Sequence, residues 1–185
     1  MEYTIEFPCE KEELQKLRAG DTVRVSGTIY TARDAAHKRM MALLDAGKPL
    51  PFVLEGNAVY YVGPTPEKPG QIIGAAGPTT SGRMDAYAPR LLDLGLCAMI
   101  GKGARSRCVR EAVVRNGAVY LVALGGAGAL MSGSVQELEV IAWPDLDCEA
   151  VRRLRVKDMP LTVELDAHGG DLYQSGPQAY LASLK

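Results

Sequence analysis

Alternating and helical patterns of apolar side chains divide the first half of the chain into strands and one helix. Residues 21–30 alternate apolar and polar side chains, which predicts a strand with one buried face. Apolar side chains recur at helical spacing over residues 33–46, and the Gly-Lys-Pro sequence that follows ends this helix. Two short apolar runs, residues 51–54 and 58–62, predict further strands, and the Pro- and Gly-rich residues 63–70 predict a loop.

The second half of the chain alternates between strand and helix patterns. The predicted strands there cover residues 72–76, 97–100, 118–123, 135–142 and 161–165. The predicted helices cover residues 84–94 and 106–115, with a short one near residues 148–154. The tail over residues 168–185 has Gly-Gly and Gly-Pro breaks, and it is weakly specified. This order predicts an α/β fold in which helices cover a parallel or mixed sheet.

Composition and charge narrow the class of protein. A chain of 185 residues with 47% hydrophobic and 23% charged residues is expected to form one globular domain, residues 1–185. The net charge of −1 gives no electrostatic reason to bind nucleic acid or an anionic membrane. The sequence shows no signal peptide and no apolar run that could span a bilayer, so a cytoplasmic location is expected.

The four cysteines are scattered along the chain. Cys9, Cys97, Cys108 and Cys148 form no C-x-x-C pair, and a metal or cluster normally needs thiolates that converge. We therefore interpret them as structural thiols, and we expect that the chain binds no metal or cluster of its own.

The segment GPTTSGRMD, residues 77–85, joins the predicted strand at 72–76 to the next predicted helix. Gly77 and Gly82 permit close backbone approach or a positive φ, and one of the three hydroxyls can cap the helix. Free amides at a helix start favour an anion, and Arg83 adds a planar fork suited to a carboxylate. Two interpretations stay open at this point, a small-anion site or simply a capped loop.

Three cations follow the ends of predicted strands, namely Arg33, Arg83 and Lys102. Ligands of open α/β sheets bind at the carboxyl ends of strands, and a dicarboxylate in a dry pocket needs more than one cation. Each cation alone fits a solvated surface charge equally well, but their joint arrangement favours a site. Asp34 and Asp85 follow two of these cations, and we interpret them as helix-start residues that orient the loops.

Four further segments accompany the signature at 77–85 in a recognisable order. They are SGTIYTARDAAHKR at residues 26–39, YYVGP at 60–64, IGKG at 100–103 and GGAGAL at 125–130. With these segments the chain from about residue 20 to about residue 173 resembles the iron–sulfur-dependent (class I) fumarase and tartrate dehydratase family. The likeness is to the β subunit or the equivalent C-terminal domain. It implies a swivelling β/β/α domain.

The resemblance also implies an activity and roles for four residues. Members of the family reversibly hydrate or dehydrate a four-carbon dicarboxylate, from fumarate to malate or from tartrate to oxaloacetate. By matched position, Thr79 exchanges the proton on carbon, and Arg33, Arg83 and Lys102 contact the substrate carboxylates and hydroxyl. An alcohol is a poor base at neutral pH, so Thr79 needs a neighbouring carboxylate or cation to tune it.

The family resemblance places the cofactor outside this chain. Known members use a 4Fe–4S cluster whose open iron acts as Lewis acid for the hydroxyl. The cysteines of that cluster belong to the α subunit or N-terminal domain, which this chain lacks. The resemblance therefore implies a β subunit that is active only with its cluster-bearing α partner, in an α2β2 assembly.

Some alternatives remain open from the residues alone. The chain could be a non-catalytic or stand-alone small-anion-binding domain that kept the fold. Residues 125–128 resemble a dinucleotide-binding loop only loosely and no acidic ribose partner stands out, so we interpret them as a close-packed turn. Of the adjacent hydroxyls, we expect Thr79 to reach the substrate and Thr80 or Ser81 to cap the following helix.

Overall fold

The computed structural model describes residues 1–184 and contains seven strands, six α-helices and two 3₁₀ segments in that range. The strands are β1 (Glu2–Phe7), β2 (Thr22–Thr31), β3 (Ala58–Tyr60), β4 (Ala98–Gly101), β5 (Val119–Val122), β6 (Val135–Ala142) and β7 (Val151–Leu165). The helices are α1 (Lys11–Leu14), α2 (Asp34–Asp45), α3 (Ala88–Asp93), α4 (Arg107–Asn116), α5 (Gly128–Gly133) and α6 (Leu172–Ser183). The 3₁₀ segments are Ser81–Met84 and Pro144–Glu149.

All seven strands belong to one mixed sheet. Strands β1 to β5 lie side by side in chain order, and each is parallel to its neighbour. The long strand β7 is antiparallel to β2, β5 and β6. Because β7 pairs with both β2 and β5, the strands β2, β3, β4, β5 and β7 form a closed circuit.

The two faces of the central strands pack into separate apolar clusters. Successive side chains of a strand point to opposite faces, so Tyr60 and Ile100 join one cluster with β1, β2, β6 and β7. Val59, Met99 and Tyr120 join the other cluster, which contains the buried side of α2, α3 and α4. The result is two layers of strands and one of helices, which confirms the predicted mixed α/β fold of the β/β/α type.

Several predicted elements match the structure closely. The strands predicted at 21–30, 97–100 and 135–142 correspond to β2, β4 and β6. The helices predicted at 33–46 and 106–115 correspond to α2 and α4. Strand β2 has a period of two and helices α2 and α4 have a period of 3.6, because each buries one face, whereas β4 is a short continuous apolar run because both of its faces are buried.

Two predicted strands are wrong, at residues 51–54 and 72–76. In the first segment Phe52 stacks on Tyr30, with 4.2 Å between ring centroids, so its apolar side chains anchor a loop. In the second, the loop folds back on Thr65, whose N–H donates to Ala75 O (3.1 Å) and whose hydroxyl accepts from Ala75 N (2.9 Å). Contacts within the loop therefore take the place of ladder hydrogen bonds.

The helices flanking these loops also differ from expectation. The helix predicted at 84–94 is a 3₁₀ segment followed by the shorter α3, which has a proline in its first turn. The short helix predicted near 148–154 is wrong, because the 3₁₀ segment ends at Glu149 and β7 begins at Val151. The strand predicted at 161–165 is only the end of β7, whose first half is rich in basic side chains that mask its alternation.

Neither β1 nor α6 is predicted by the sequence pattern. Helix α6 lies in the tail that its sequence specifies weakly, and it begins where the Asp171 carboxylate accepts from Gln174 N (3.0 Å). It contains Pro177 and no buried residue, so it has no apolar stripe to reveal it. Lys185, the end of that tail, lies outside the described residues. The longest helices of residues 1–184 have 12 residues, and no helix there could cross a bilayer.

Two buried ionisable side chains couple the fold to pH. His37 lies between Tyr61 and Tyr87 in the helix layer, and its Nδ1–H donates to Arg33 O (2.8 Å). Burial lowers the pKa of His37 to about 4. Glu164 is buried near the end of β7, and burial together with the neighbouring charge of Asp171 raises its pKa to about 8.

These shifts predict the pH dependence of stability. The pKa of Glu164 is above its usual 4.5, so the free energy of unfolding falls as pH rises from 4.5 to 8. The pKa of His37 is below its usual 6.5, so stability is lost as pH falls from 6.5 to 4. We expect the urea midpoint to fall between pH 6.5 and 8.5, and Glu164→Gln to remove most of that fall. Glu137→Gln, at an exposed position, is the control. An unchanged pH dependence in Glu164→Gln would contradict this interpretation.

Candidate functional site

The carboxyl ends of the four parallel strands β2 to β5 meet at one edge of the sheet, where their loops converge. Arg33 follows β2 by two residues, and Lys102 directly follows β4. The long loop after β3 returns to the same edge and carries Thr79 and Arg83. The structure therefore brings the elements carrying all four predicted site residues to one place.

The signature segment crosses the ends of β3 and β4. Thr79 N donates to Tyr61 O (2.8 Å), and Pro78 forms a bridge with Val62. Thr80 forms a parallel bridge with Lys102. Arg83 does not follow a strand end directly, since residues 72–76 form no strand, and it reaches this edge through the loop instead.

Ser81 is buried inside the site rather than placed as a helix cap. Its hydroxyl accepts from Lys102 N (3.0 Å) and from the Tyr120 hydroxyl (2.8 Å), while Ser81 N donates to Lys102 O (2.9 Å). A Cβ at Gly101 would overlap Ser81 Oγ, so glycine is required there. The capping role predicted for Thr80 or Ser81 is wrong, because the 3₁₀ segment has no side-chain cap.

The signature glycines Gly77 and Gly82 do not have positive φ, and a Cβ on either would make only ordinary contacts, the nearest at 3.4 Å for Gly77 and 3.7 Å for Gly82. Ala76 N donates to Gly128 O (3.0 Å), and a Cβ on Gly128 would lie 3.2 Å from Gly77 N. Gly126 in the same turn has a φ of +80°. Among the three glycines of this turn, only Gly128 packs closely against the signature, whereas a Cβ at Gly125 or Gly126 would meet no described atom within 4 Å.

Arg33 is held at the start of α2 with its side chain only 18% exposed. A Cβ at Gly63 would overlap its Nη1, so this glycine gives the guanidinium room. Glu149 lies 3.4 Å from Nη2 of Arg33, and its other oxygen accepts from Ala35 N (2.8 Å). Within residues 1–184, the buried Nε of Arg33 has no hydrogen-bond partner. The protein thus leaves this buried donor unsatisfied.

Arg83 forms a two-point pair with Asp34, the first residue of α2. Its Nε donates to Oδ1 of Asp34 (2.9 Å), and its Nη2 lies 2.9 Å from Oδ2. Half of the Arg83 side chain is exposed, so the guanidinium can also face a ligand. Because Asp34 adjoins Arg33, this pair fixes both arginines relative to α2, which agrees with the orienting role expected for Asp34.

Lys102 is fixed by its backbone and keeps its ammonium group uncommitted. Its N–H and C=O are both bonded to Ser81. In the part of the chain that the structure describes, no carboxylate lies within 4.0 Å of its ammonium nitrogen. Thr79 beside it is half-buried. The edge therefore combines two oriented guanidiniums, a free ammonium and a hydroxyl, which suits an anion with more than one carboxylate.

The described thiols do not fit an iron–sulfur cluster. Cys97 is buried and donates to Asn57 O (3.1 Å), next to Cys9, whereas Cys108 is exposed on α4. Among residues 1–184 no three His, Cys, Asp or Glu side chains converge as a metal site. We therefore assign no chemical step to a cluster on this chain.

Two further residues of this region were not predicted from the sequence. Glu149 pairs with Arg33 across 116 positions of the chain (149 − 33), and Arg105 pairs with Asp85, its Nε 2.7 Å from Oδ1. Arg105 adjoins the Gly-Lys-Gly motif that contains Lys102, which was the one available signal. Neither Glu149 nor Arg105 belongs to a sequence motif whose residue spacing would predict its partner.

Comparison with known proteins defines the family. A family model described as Fumarase C-terminus matches residues 2–176, so the chain belongs to that family. Over 164 residues it is 37% identical to the anaerobic class I fumarate hydratase of Escherichia coli K12, covering 88% of this chain and 30% of that enzyme. Over 180 residues it is 36% identical to a Methanocaldococcus jannaschii protein named "Putative L(+)-tartrate dehydratase subunit beta", covering 94% of this chain and 92% of that protein.

The relatives differ greatly in length. Mitochondrial fumarate hydratase 1 of Leishmania major is 37% identical over 170 residues, which are 91% of this chain and 31% of that protein. The chain thus spans about 30% of the length of the fumarate hydratases it matches, but nearly the whole of the protein named as a subunit.

Proposed function

We propose that this chain is the β subunit of a heteromeric hydro-lyase that reversibly hydrates or dehydrates a four-carbon dicarboxylate. One observation carries the proposal: Thr79, Arg33, Arg83 and Lys102 lie on loops that meet at the carboxyl edge of the parallel strands. Fumarate and tartrate are the substrates suggested by the names of the relatives. Residues 1–185 act as a single domain in this proposal.

In the proposed mechanism the three cations hold the dianion. Arg33 and Arg83 bind carboxylates through their planar forks, and Asp34 and Glu149 keep those forks in place. Lys102 contributes a compact charge near the substrate carboxylate or hydroxyl. Binding both carboxylates fixes the reacting carbon relative to Thr79, which lowers the entropic part of the barrier.

Thr79 is proposed to exchange the proton on carbon. Its backbone is anchored to Tyr61, so the main chain that carries its hydroxyl is fixed at the edge of the site. A positive charge nearby favours the alkoxide form of an alcohol, and Lys102, whose backbone bridges to the adjacent Thr80, is proposed to supply that charge. The chain supplies the proton exchange and the substrate clamp in this scheme.

The rest of the active site is proposed to come from an α subunit. The protein named as a tartrate dehydratase β subunit matches this chain over almost its whole length, which supports a separate partner. The 4Fe–4S cluster is proposed to belong to that partner, because the thiols of this chain do not converge. We propose an α2β2 assembly, with the dicarboxylate bound between the two kinds of subunit.

The experiment that tests this function is reconstitution with an α subunit. We expect the chain alone to stay colourless and inactive after anaerobic treatment with iron and sulfide. Mixed with a cluster-bearing α subunit, it should turn over one member of a panel containing fumarate, L-tartrate, D-tartrate and methyl-substituted analogues. If the isolated chain gained a brown chromophore of about one cluster per chain and showed turnover, this would contradict the proposal that the α subunit holds the cluster. No turnover by the assembled pair would favour a non-catalytic anion-binding domain.

A further inference from the structure

We infer that Arg105 is the positioning residue that holds Thr79, Arg83 and Lys102 in one arrangement, an inference that rests on the proposed function. Arg105 lies just before α4, and its side chain is 0% exposed, so it cannot touch the substrate itself. Its action is through the loops that carry the site.

Contacts with a carboxylate, a sulfur and two rings surround the buried Arg105 guanidinium, although its Nη2 has no hydrogen-bond partner within residues 1–184. Its Nε donates to Oδ1 of Asp85 (2.7 Å), and its Nη1 lies 3.4 Å from the sulfur of Met99. The guanidinium carbon lies 4.8 Å from the ring centre of Tyr120 and 5.4 Å from that of Tyr61. A carboxylate and two aromatic faces thus offset part of the free-energy cost of removing this charge from water.

The first connection leads to Arg83. Asp85 stands two residues after Arg83, immediately after the 3₁₀ segment Ser81–Met84. One oxygen of its carboxylate accepts from Arg105, and the other accepts from Ser106 N (2.6 Å). Arg105 and the start of α4 therefore fix the end of the segment from which Arg83 projects.

Two further chains of contacts link Arg105 to Lys102 through Tyr120 and to Thr79 through Tyr61. The hydroxyl of Tyr120 lies 2.8 Å from Ser81 Oγ and 3.0 Å from Gly103 O, and Ser81 Oγ accepts from Lys102 N (3.0 Å). On the other side, Tyr61 accepts from Thr79 N (2.8 Å). Arg105 therefore contacts the rings of both tyrosines that support the site. Tyr61 binds the Thr79 backbone through its carbonyl oxygen, and Tyr120 supports the Lys102 backbone through the Ser81 hydroxyl.

The chain contains a matched comparison for this pair. Arg115, near the end of α4, pairs with Asp93, the last residue of α3, with atoms 2.8 Å apart. Their side chains are about half exposed, and their contacts lead to Asn116 and not to the signature. A positioning role therefore predicts different consequences for Arg105 and Arg115, although both variants remove an Arg–Asp pair.

Amide hydrogen exchange of the full chain tests the inference without any need for activity. In Arg105→Met we expect the amides of Thr79, Ser81 and Lys102 to exchange about tenfold faster, with β1 and β6 unchanged. Arg115→Met should leave those three amides at wild-type rates. If Arg105→Met does not fold, Arg105→Lys takes its place with a smaller effect in the same direction. Wild-type exchange at all three amides in a folded variant would overturn the inference.

Kinetics of the assembled enzyme test the link from positioning to rate. Misplaced catalytic groups lower turnover more than binding, so Arg105→Met should lose on the order of 10²-fold in kcat with a smaller change in KM. Arg105→Lys should recover part of the kcat, and Arg115→Met should match wild type. Loss of kcat without faster exchange would contradict the proposed route. An inactive wild-type pair would instead contradict the proposed function and leave the exchange result to decide on Arg105.

Discussion

Replacing Thr79 by alanine is expected to abolish most turnover of the assembled enzyme and to leave its thermal midpoint nearly unchanged. Thr79 is anchored through its N–H to Tyr61 O, so alanine keeps the anchor and removes only the hydroxyl and methyl groups. A proton-transferring group contributes about 10²- to 10⁴-fold to rate, and we expect a loss in kcat of that order. Thr79→Ser should retain part of the activity.

The neighbouring Thr80 provides the matched control. Thr80 is exposed, and its bridge with Lys102 uses only backbone atoms. Because it caps no helix, Thr80→Ala should cost little stability and little rate. Exchange of the substrate C–H in heavy water should fall together with turnover in Thr79→Ala. A dead Thr80→Ala variant beside a fully active Thr79→Ala variant would reverse the two roles.

The sequence was sufficient to predict the parts of the site that lie next to regular elements. Strand β2 and helix α2 have clear periodicities, so the position of Arg33 between them follows from the pattern. Lys102 follows β4, which a short continuous apolar run predicts. Both cations therefore reach the carboxyl edge that an α/β order predicts.

The path of the long loop after β3 could not be predicted in this way. The apolar residues of 72–76 resemble a strand, but Ile73 and Ala76 are buried by a loop that bonds to Thr65 and Gly128. Single-segment patterns show that side chains are buried, and they do not show which backbone groups pair. Arg83 lies at the site as expected, but a loop brings it there and not the end of a strand at residues 72–76.

The buried residues that hold the site in place, Ser81 and Arg105, could not be predicted from the sequence for a related reason. Ser81 bonds to Tyr120 across 39 positions, and Arg105 bonds to Asp85 across 20. In the sequence Ser81 stands among loop residues at a helix start, which favours capping. In the structure Ser81 is fully buried, and its hydroxyl joins the signature to Tyr120 of β5 and to Lys102 instead.

Conservative replacement of the arginines is expected to lower kcat/KM strongly. Arg83→Lys and Arg33→Lys keep the positive charge but lose the planar fork. For Arg83 the two-point pair with Asp34 also becomes a single contact, so its charge moves relative to α2. We expect losses of about ten- to a thousandfold, equivalent to roughly 1.4 to 4 kcal/mol, with the larger effect in KM if the contacts are formed in the ground state.

A suitable control for these variants is Arg39→Lys. Arg39 is on α2, six residues after Arg33, and forms a two-point pair with Asp145 on the same 3₁₀ segment that carries Glu149. Its guanidinium contacts Asp145 and lies 5.8 Å from the Trp143 ring centre, and it is not one of the proposed substrate contacts, so its replacement should leave kcat/KM near wild type. Steady-state kinetics of the three variants on the preferred dicarboxylate, with matched thermal midpoints, distinguish arginines that bind substrate from an arginine that only pairs on the surface. Near-normal kinetics in both Arg33→Lys and Arg83→Lys would place these cations on the solvated surface, because a dry dicarboxylate site cannot lose both forks without cost.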